Sequence, residues 1–201
     1  MDIPEAEFTP KVRAAIMTLM EEVERLREEL SLTRRRVEHL EQLADQDALA
    51  PIANRRAFVR EMSRVMAYSE RYGAPSSVLY FDFNGMKEIN DTYGHAAGDA
   101  ALLQVARTLL ESVRESDIVG RLGGDEFGVI LAQADHAAAN EKAAALANEI
   151  AAAPLIWEDH EIPLTVACGT YCFKPGEDVS TALANADKAM YANKQRNRQP
   201  G

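Results

Sequence analysis

"SDIVGRLGGDEFGVILA", residues 116–132, sets two apolar runs on either side of a glycine-acid break. Ile118 to Leu122 and Phe127 to Ala132 are rich in β-branched and aromatic residues, and each is short enough to be a strand. A tight turn at Gly123-Gly124 joins them, and such a turn is expected to need backbone angles that other residues resist. Strands joined this closely pair antiparallel, which argues against a purely parallel sheet. The turn also lifts Asp125 and Glu126 to the sheet edge. Two adjacent carboxylates repel each other, so the pair calls for a cation in front of it.

The flanking sequence supplies the rest of a domain. "NRRAFVREMSRVMAYSERYG" (54–73) reads as a helix closed by Gly73, and "PSSVLYFDF" (75–83) as a buried strand. Helices follow at "GDAALLQVARTLLESVR" (98–114), at the Ala-rich "DHAAANEKAAALANEIAAA" (135–153) and at "DVSTALANADKAMYANKQR" (178–196). "LIWEDHEIPLTVACGTYCF" (155–173) reads as a hairpin. The order helix, strand, helix, hairpin, helix, hairpin, helix predicts an α+β fold: a mainly antiparallel central sheet flanked by helices.

Asp82, near the end of "VLYFDF", is a second acidic position. If its strand neighbours the one that begins at Glu126, Asp82 converges with Asp125 and Glu126. Oxygen ligands grouped in this way suit Mg²⁺ or Mn²⁺. Two such ions are a recurring device for activating a hydroxyl and stabilising charge at a phosphoryl centre. The alternative is a hairpin whose turn carries solvated acids.

The N-terminal segment has a different pattern. Thr9-Pro10 reads as an N-cap followed by proline at the first helical position. Heptads begin at Ile16, with Ile16, Val23, Leu30, Val37 and Ala44 at a, and Leu19, Leu26, Thr33, Leu40 and Asp47 at d. β-Branched residues at a with Leu at d favour a parallel two-stranded coiled coil. The g residues Glu22, Glu29 and Arg36 oppose Arg27, Arg34 and Glu41 at e of a partner, each pair of opposite sign. The alternative is an amphipathic helix lying on its own domain. We therefore expect a coiled-coil helix over 1–46, a homodimer through residues 12–47, and a globular domain over 47–201.

The chain carries 22 Lys and Arg against 32 Asp and Glu, a net charge of -10. Such a chain repels nucleic acid and anionic lipid, so neither is an expected partner, and anionic ligands need cations as intermediaries. The N-terminus has no basic and apolar leader pattern, and no apolar run approaches the roughly 18 residues of a membrane span. The expected location is cytoplasmic. The two cysteines, Cys168 and Cys172, lie four apart in a strand-like run and read as small buried residues rather than as a metal or disulfide pair.

Five blocks in order, "DALAPIANRRAF", "FDFNGMKEINDTYGHAAGD", "RESDIVGRLGGDEF", "LTVACG" and "ADKAMYANKQRNR", resemble the GGDEF domain of diguanylate cyclases from about Asp47 to Arg198. The resemblance implies a ferredoxin-like palm and condensation of two GTP into cyclic di-GMP with release of pyrophosphate. It implies two Mg²⁺ or Mn²⁺ per active site, held by Asp82, the carbonyl of Phe83, Asp125 and Glu126. Glu126, with Asp125 beside it, carries the catalytic role of activating the 3′-hydroxyl. Gly123 and Gly124 match backbone that approaches the nucleotide, and Asn90 and Asp99 match the guanine-binding pair. Lys87, Lys194 and Arg198 match phosphate contacts. Arg114 and Asp117 match an RxxD inhibitory site for the product. A regulatory protein on the coiled coil is a further expected partner.

Physics supports the base assignment, because a carboxylate accepts from guanine N1–H and N2–H₂ while adenine offers no such donors. The competing role for Asp99 is a helix N-cap; for Lys194 and Arg198 it is a solvated basic helix end. His95 reads as structural. The sequence departs from the family pattern at Ala50-Pro51-Ile52, Asn84, Met86, Ala167-Cys168 and Asn197. The rival function is a catalytically inactive cyclic di-GMP receptor or scaffold.

Overall fold

The structure, a computed structural model, describes residues 9–198; the side chains of 38–44 and 196–198 lie outside that description. The chain divides into two compact units, Met1–Ala44 and Asp45–Gly201.

The described part of the first unit is helical. Helix α1 runs from Pro10 to Asp45. Its start is built as the sequence predicts: Val12 N–H donates to the Thr9 hydroxyl at 3.3 Å, and Pro10 takes a position where a missing N–H costs nothing. Along the helix the heptad residues Leu19, Val23, Leu26, Leu30 and Val37 face solvent, with Leu19 64% and Leu26 50% exposed. Arg25 bridges Glu22 and Glu29 on the same helix. Leu40, Glu41 and Ala44 of the heptad pattern have side chains outside the described residues.

The second unit follows the chain as α2 (Arg55–Tyr72), β1 (Ser77–Phe83), α3 (Met86–Tyr93), α4 (His95–Ser112), β2 (Ile118–Arg121), β3 (Glu126–Leu131), α5 (His136–Ala152), β4 (Leu155–Trp157), β5 (His160–Ile162), β6 (Val166–Cys172) and α6 (Val179–Arg198). The main sheet has the order β2-β3-β1-β6, with every pair antiparallel. This is the ferredoxin-like palm, β1-α4-β2-β3-α5-β6 in chain order.

β1 lies inside the sheet and shows why. Its side chains alternate between two apolar layers. Leu79, Phe81 and Phe83 join the core formed with α4 and α5, while Val78 and Tyr80 join the core formed with α2 and α6. Both faces are covered, so Ser77 to Phe81 are all buried. Asp82 shares the α2/α6 side with Tyr80, by the same alternation.

Glycines let helices approach this sheet. Gly120 and Gly128 are cross-strand partners. A Cβ on either would come within 2.6 and 2.5 Å of the Phe58 ring of α2. At Gly169 a Cβ would stand 2.1 Å from the Met190 backbone nitrogen, so α6 rides directly on the β6 main chain.

Four expectations need correction. A separate helix, α3, precedes α4, and the glycines that bound it, Gly85 and Gly94, both have positive φ, 78° and 86°. Residues 155–173 do not form one hairpin: β4 and β5 make a small two-stranded sheet, and β6 pairs with β1. The separation falls at Pro163, which has no N–H for a ladder. Finally, neither Gly123 nor Gly124 adopts positive φ. Gly123 answers to space instead, as described below, and Gly124 has open space beside it. Cys168 and Cys172 are free and half-buried rather than fully buried, and burial pushes the Cys168 thiol up to about 12.

Candidate active site

The β1-β3 ladder sets the centre of the site. Asp82 and Glu126 are direct partners across it. One residue further, the Phe83 N–H donates to the Asp125 carbonyl at 2.9 Å, which ties the Gly-Gly-Asp-Glu turn to the end of β1. The sequence places Asp82 and Glu126 44 positions apart, and the antiparallel register makes them neighbours.

The glycine next to these acids is a matter of space. A Cβ on Gly123 would fall 2.2 Å from Glu126 Oε2, so the carboxylate folds back over a space that any larger residue would force it to leave. A Cβ on Gly124 would meet nothing within 4 Å. Its carbonyl instead accepts from Arg121 Nη2 at 2.7 Å and Nε at 3.2 Å. Arg121 also donates to Asp47 at 3.2 Å, and Asp47 in turn accepts from the Leu49 and Ala50 amides. Arg121 therefore fixes the shape of the turn from the side.

Tyr80 and Lys194 complete the surroundings. Burial, and then a hydrogen bond to Glu126, push the Tyr80 hydroxyl well above its usual range. From α6, the Lys194 ammonium donates to Asp82 Oδ1. The side chains of this pair are 21% and 16% exposed.

Among the described residues, no three His, Cys, Asp or Glu side chains gather as a metal site. The carboxylates that the ladder sets side by side are a pair. That still suits Mg²⁺, which is commonly held by one or two carboxylates plus substrate phosphates rather than by an all-protein cage. The donor chemistry fits, and an ammonium already stands on Asp82 as a cationic substitute.

A second cluster lies between α3 and α4. The Asn90 side-chain oxygen is buried and accepts no hydrogen bond. A Cβ on Gly98 would come within 2.1 Å of it, so Gly98 makes room for that oxygen. Asp99 follows Gly98 and is exposed. Asp99 is not a cap: α4 begins at His95 after Gly94, with no side-chain cap. A buried acceptor without a donor is costly unless a ligand supplies one. His95 is exposed at the start of α4 and has no structural bond among those described.

Lys87 is exposed on α3, and the Arg198 side chain lies outside the described residues, as does that of Asn197. The departure Asn84 is accommodated by Thr165, whose carbonyl accepts from the Asn84 N–H at 2.9 Å and whose hydroxyl accepts from its amide at 3.3 Å.

Arg114 and Asp117 sit in the turn between α4 and β2. Asp117 Oδ2 accepts from the Arg114 N–H at 3.1 Å, and Oδ1 from the Ala132 N–H at 3.3 Å. Arg114 is exposed. Both residues line a cavity of about 440 Å³, with Gln133, Glu141 and Lys142 among its other walls.

Sequence reasoning did not single out Arg121, Tyr80 or Gly98. Tyr80 carried a signal, since it lies two residues from Asp82 on one strand and so shares its face.

Comparison with known proteins bears on the family and the fold. Residues 44–200 match the family model described as "Diguanylate cyclase, GGDEF domain". Diguanylate cyclase DosC of Escherichia coli (strain K12) is 35% identical over 153 residues, covering 76% of this chain and 33% of DosC. Diguanylate cyclase DgcP of Pseudomonas aeruginosa is 29% identical over 194 residues, covering 96% of this chain and 29% of DgcP. The chain thus spans about a third of the length of these curated relatives. Among solved structures, the coiled coil and GGDEF domain of DgcB from Caulobacter crescentus, in complex with c-di-GMP, superposes with a TM-score of 0.73. It is 29% identical, and the match covers 93% of this chain and 96% of that one. Among the described residues, no helix is long and apolar enough to cross a membrane. With the family model matched over residues 44–200 and the palm in place, the chain belongs to the GGDEF diguanylate cyclase domain family.

Proposed function

We propose that the protein is a diguanylate cyclase that condenses two GTP into cyclic di-GMP and two pyrophosphates. The observation that carries this reading is the Asp82-Glu126 pair, set side by side by the β1-β3 register and attended by the Lys194 ammonium.

In this reading Asp82, Asp125, Glu126 and the Phe83 carbonyl hold Mg²⁺ or Mn²⁺, two ions per site. The ions, when bound, offset negative charge on the triphosphate and favour ionisation of the 3′-hydroxyl. Glu126 faces the hydroxyl and draws off its proton, while Tyr80 holds the carboxylate in orientation. Gly123 and Gly124 let the nucleotide approach the main chain. Asn90 and Asp99 read guanine: the buried Asn90 oxygen gains a donor, and Asp99 accepts from the N1 and N2 edge. Lys87, Lys194 and Arg198 grip the phosphates and supply positive charge to a protein of net charge -10.

Cyclic di-GMP is two-fold symmetric, and one domain holds one GTP. Each 3′-hydroxyl therefore meets the α-phosphate held by a second domain. A parallel homodimer through residues 12–47 brings two domains together, supported by the exposed apolar residues at heptad positions of α1. Burying one Leu of that seam is worth about 1.5–3 kcal/mol. The same coil offers a surface to a regulatory protein. Arg114 and Asp117 form a product-binding site; each oxygen of Asp117 keeps a lone pair after its backbone bond.

The test is incubation with GTP and Mg²⁺ followed by separation of nucleotides. Cyclic di-GMP with two pyrophosphates per product supports the reading. GTP left intact, with cyclic di-GMP still bound by the protein, points to a receptor and overturns it.

A further inference from the structure

Asp82 is the only carboxylate of the site that, among the described residues, carries a lysine ammonium. The partners are 112 residues apart in sequence and come from different elements, β1 and α6. Their contact is therefore a product of the fold and not of local helix or strand geometry. α6 is held close to the sheet by the Gly169 contact with Met190, one helical turn before Lys194. We infer that Lys194 is the resident counter-cation of Asp82 in the nucleotide-free protein, and that a divalent ion must displace it to bind. The inference rests on the proposed role of Asp82 as a metal ligand.

The physical case has two halves. A carboxylate that is largely removed from water is costly when unpaired. Asp82 is 16% exposed, and Lys194 supplies its countercharge before any ligand arrives. A divalent ion on the same carboxylate then meets a competitor, because an ammonium and a dication repel each other at contact distance. The ion must release Lys194. A lysine has a long flexible stem, so its freed charge swings to the nearest anion. With nucleotide present, that anion is the triphosphate.

Lys194 thus makes the two ligands depend on each other. The bare ion binds weakly because it has to break the ion pair. Ion and nucleotide together bind well, because the displaced ammonium finds a new partner. Linkage requires the effect to be reciprocal: the ion favours nucleotide as much as nucleotide favours the ion.

The experiment is a Mn²⁺ titration of the whole chain, followed by the electron-spin signal of the free ion. It is done without nucleotide and again with 3′-deoxy-GTP, which lacks the attacking hydroxyl and so does not turn over. Lys194→Gln and Lys194→Met are compared with wild type and with Lys188→Gln, which removes the same charge from an exposed position on α6. Two Lys194 variants guard against a folding defect in either one. Without nucleotide, both should bind Mn²⁺ about fivefold more tightly than wild type, the scale of losing one partly buried ion pair, while Lys188→Gln stays within about twofold. The gain in Mn²⁺ affinity on adding 3′-deoxy-GTP should shrink in both Lys194 variants.

Unchanged or weaker Mn²⁺ binding in the Lys194 variants overturns the inference. So does an equal gain in Lys188→Gln, which would reduce the effect to net charge. Retention of wild-type Mn²⁺ affinity in Asp82→Asn overturns it as well, by removing the metal from Asp82. The readout is ion binding. A protein that shows the expected pattern but forms no cyclic di-GMP would overturn the proposed activity and leave the role of Lys194 standing.

Discussion

Glu126 folds its carboxylate over Gly123, so that a single methyl group on Gly123 would fall 2.2 Å from Oε2. The two glycines of the turn are therefore not equivalent. Gly123→Ala should displace Glu126 and lower turnover by about 100-fold, the cost of misplacing a reacting group by an ångström or so. Gly124→Ala should be far milder, since its Cβ has open space. Steady-state kinetics on both variants, with circular dichroism to confirm folding, checks the contrast. Equal losses would mean that the space beside Glu126 is not what the glycine provides.

Asp99 is exposed, caps nothing and directly follows Gly98, the residue that makes room for the unpaired oxygen of Asn90. Asp99→Ser should weaken base reading by about 1–3 kcal/mol, the worth of a bidentate base contact. The preference for GTP over ATP should fall accordingly. Competition of the two nucleotides for the site measures this, and unchanged discrimination would place base reading elsewhere.

Arg114 and Asp117 should respond differently to substitution. Arg114 is exposed, whereas Asp117 holds two backbone amides around the start of β2. Arg114→Ala should raise the cyclic di-GMP concentration needed for half inhibition with the initial rate nearly intact. Asp117→Ala should also lower the melting temperature, because two amides lose an acceptor at about 1 kcal/mol each. If Arg114→Ala is inhibited like wild type, the cavity beside it does not take the product.

Much of this was legible in the sequence, and the reason is periodicity. β1 to β3, α2, α5 and α6 have clear patterns and clear stops, such as the left-handed Gly73 that closes α2 by donating to the Ser69 carbonyl. The acids of the site could be named because they sit at the ends of those strands. The helix α3 escaped notice because its eight residues hold few apolar ones, and Ile89 alone is fully buried. The run 155–173 reads as one hairpin because its apolar residues continue past Pro163, and chain order does not reveal that β6 belongs beside β1. The Lys194-Asp82 pair and the space that Gly98 leaves for Asn90 are long-range or negative features. No local pattern records a methyl group that is missing because something distant needs the volume.

The rod carries a prediction of its own. Leu19 and Leu26 are d residues and half or more exposed in the single chain. A double change to Asp would bury charge in any dimer seam, which is prohibitive without a partner. Leu19→Asp with Leu26→Asp should give a monomer by light scattering. Its specific activity should rise with protein concentration, while wild type stays flat, because a short tether holds partner domains at about millimolar effective concentration. A monomeric variant with full activity at nanomolar concentration would remove the dimerising role from α1.

The central claim is that Glu126, placed opposite Asp82 by the β1-β3 register, does the chemistry on GTP. Glu126→Gln keeps the size of the side chain and its place on the strand but removes its charge and its capacity to take a proton. The decisive measurement is the rate of cyclic di-GMP formation from GTP and Mg²⁺ by wild type and Glu126→Gln, side by side, with melting curves for both. The account predicts product from wild type, a rate at least about 1,000-fold lower in the variant and an unchanged fold, on the scale expected when a proton-transfer group is lost from a preorganised site. Near-normal synthesis by a folded Glu126→Gln protein would contradict it.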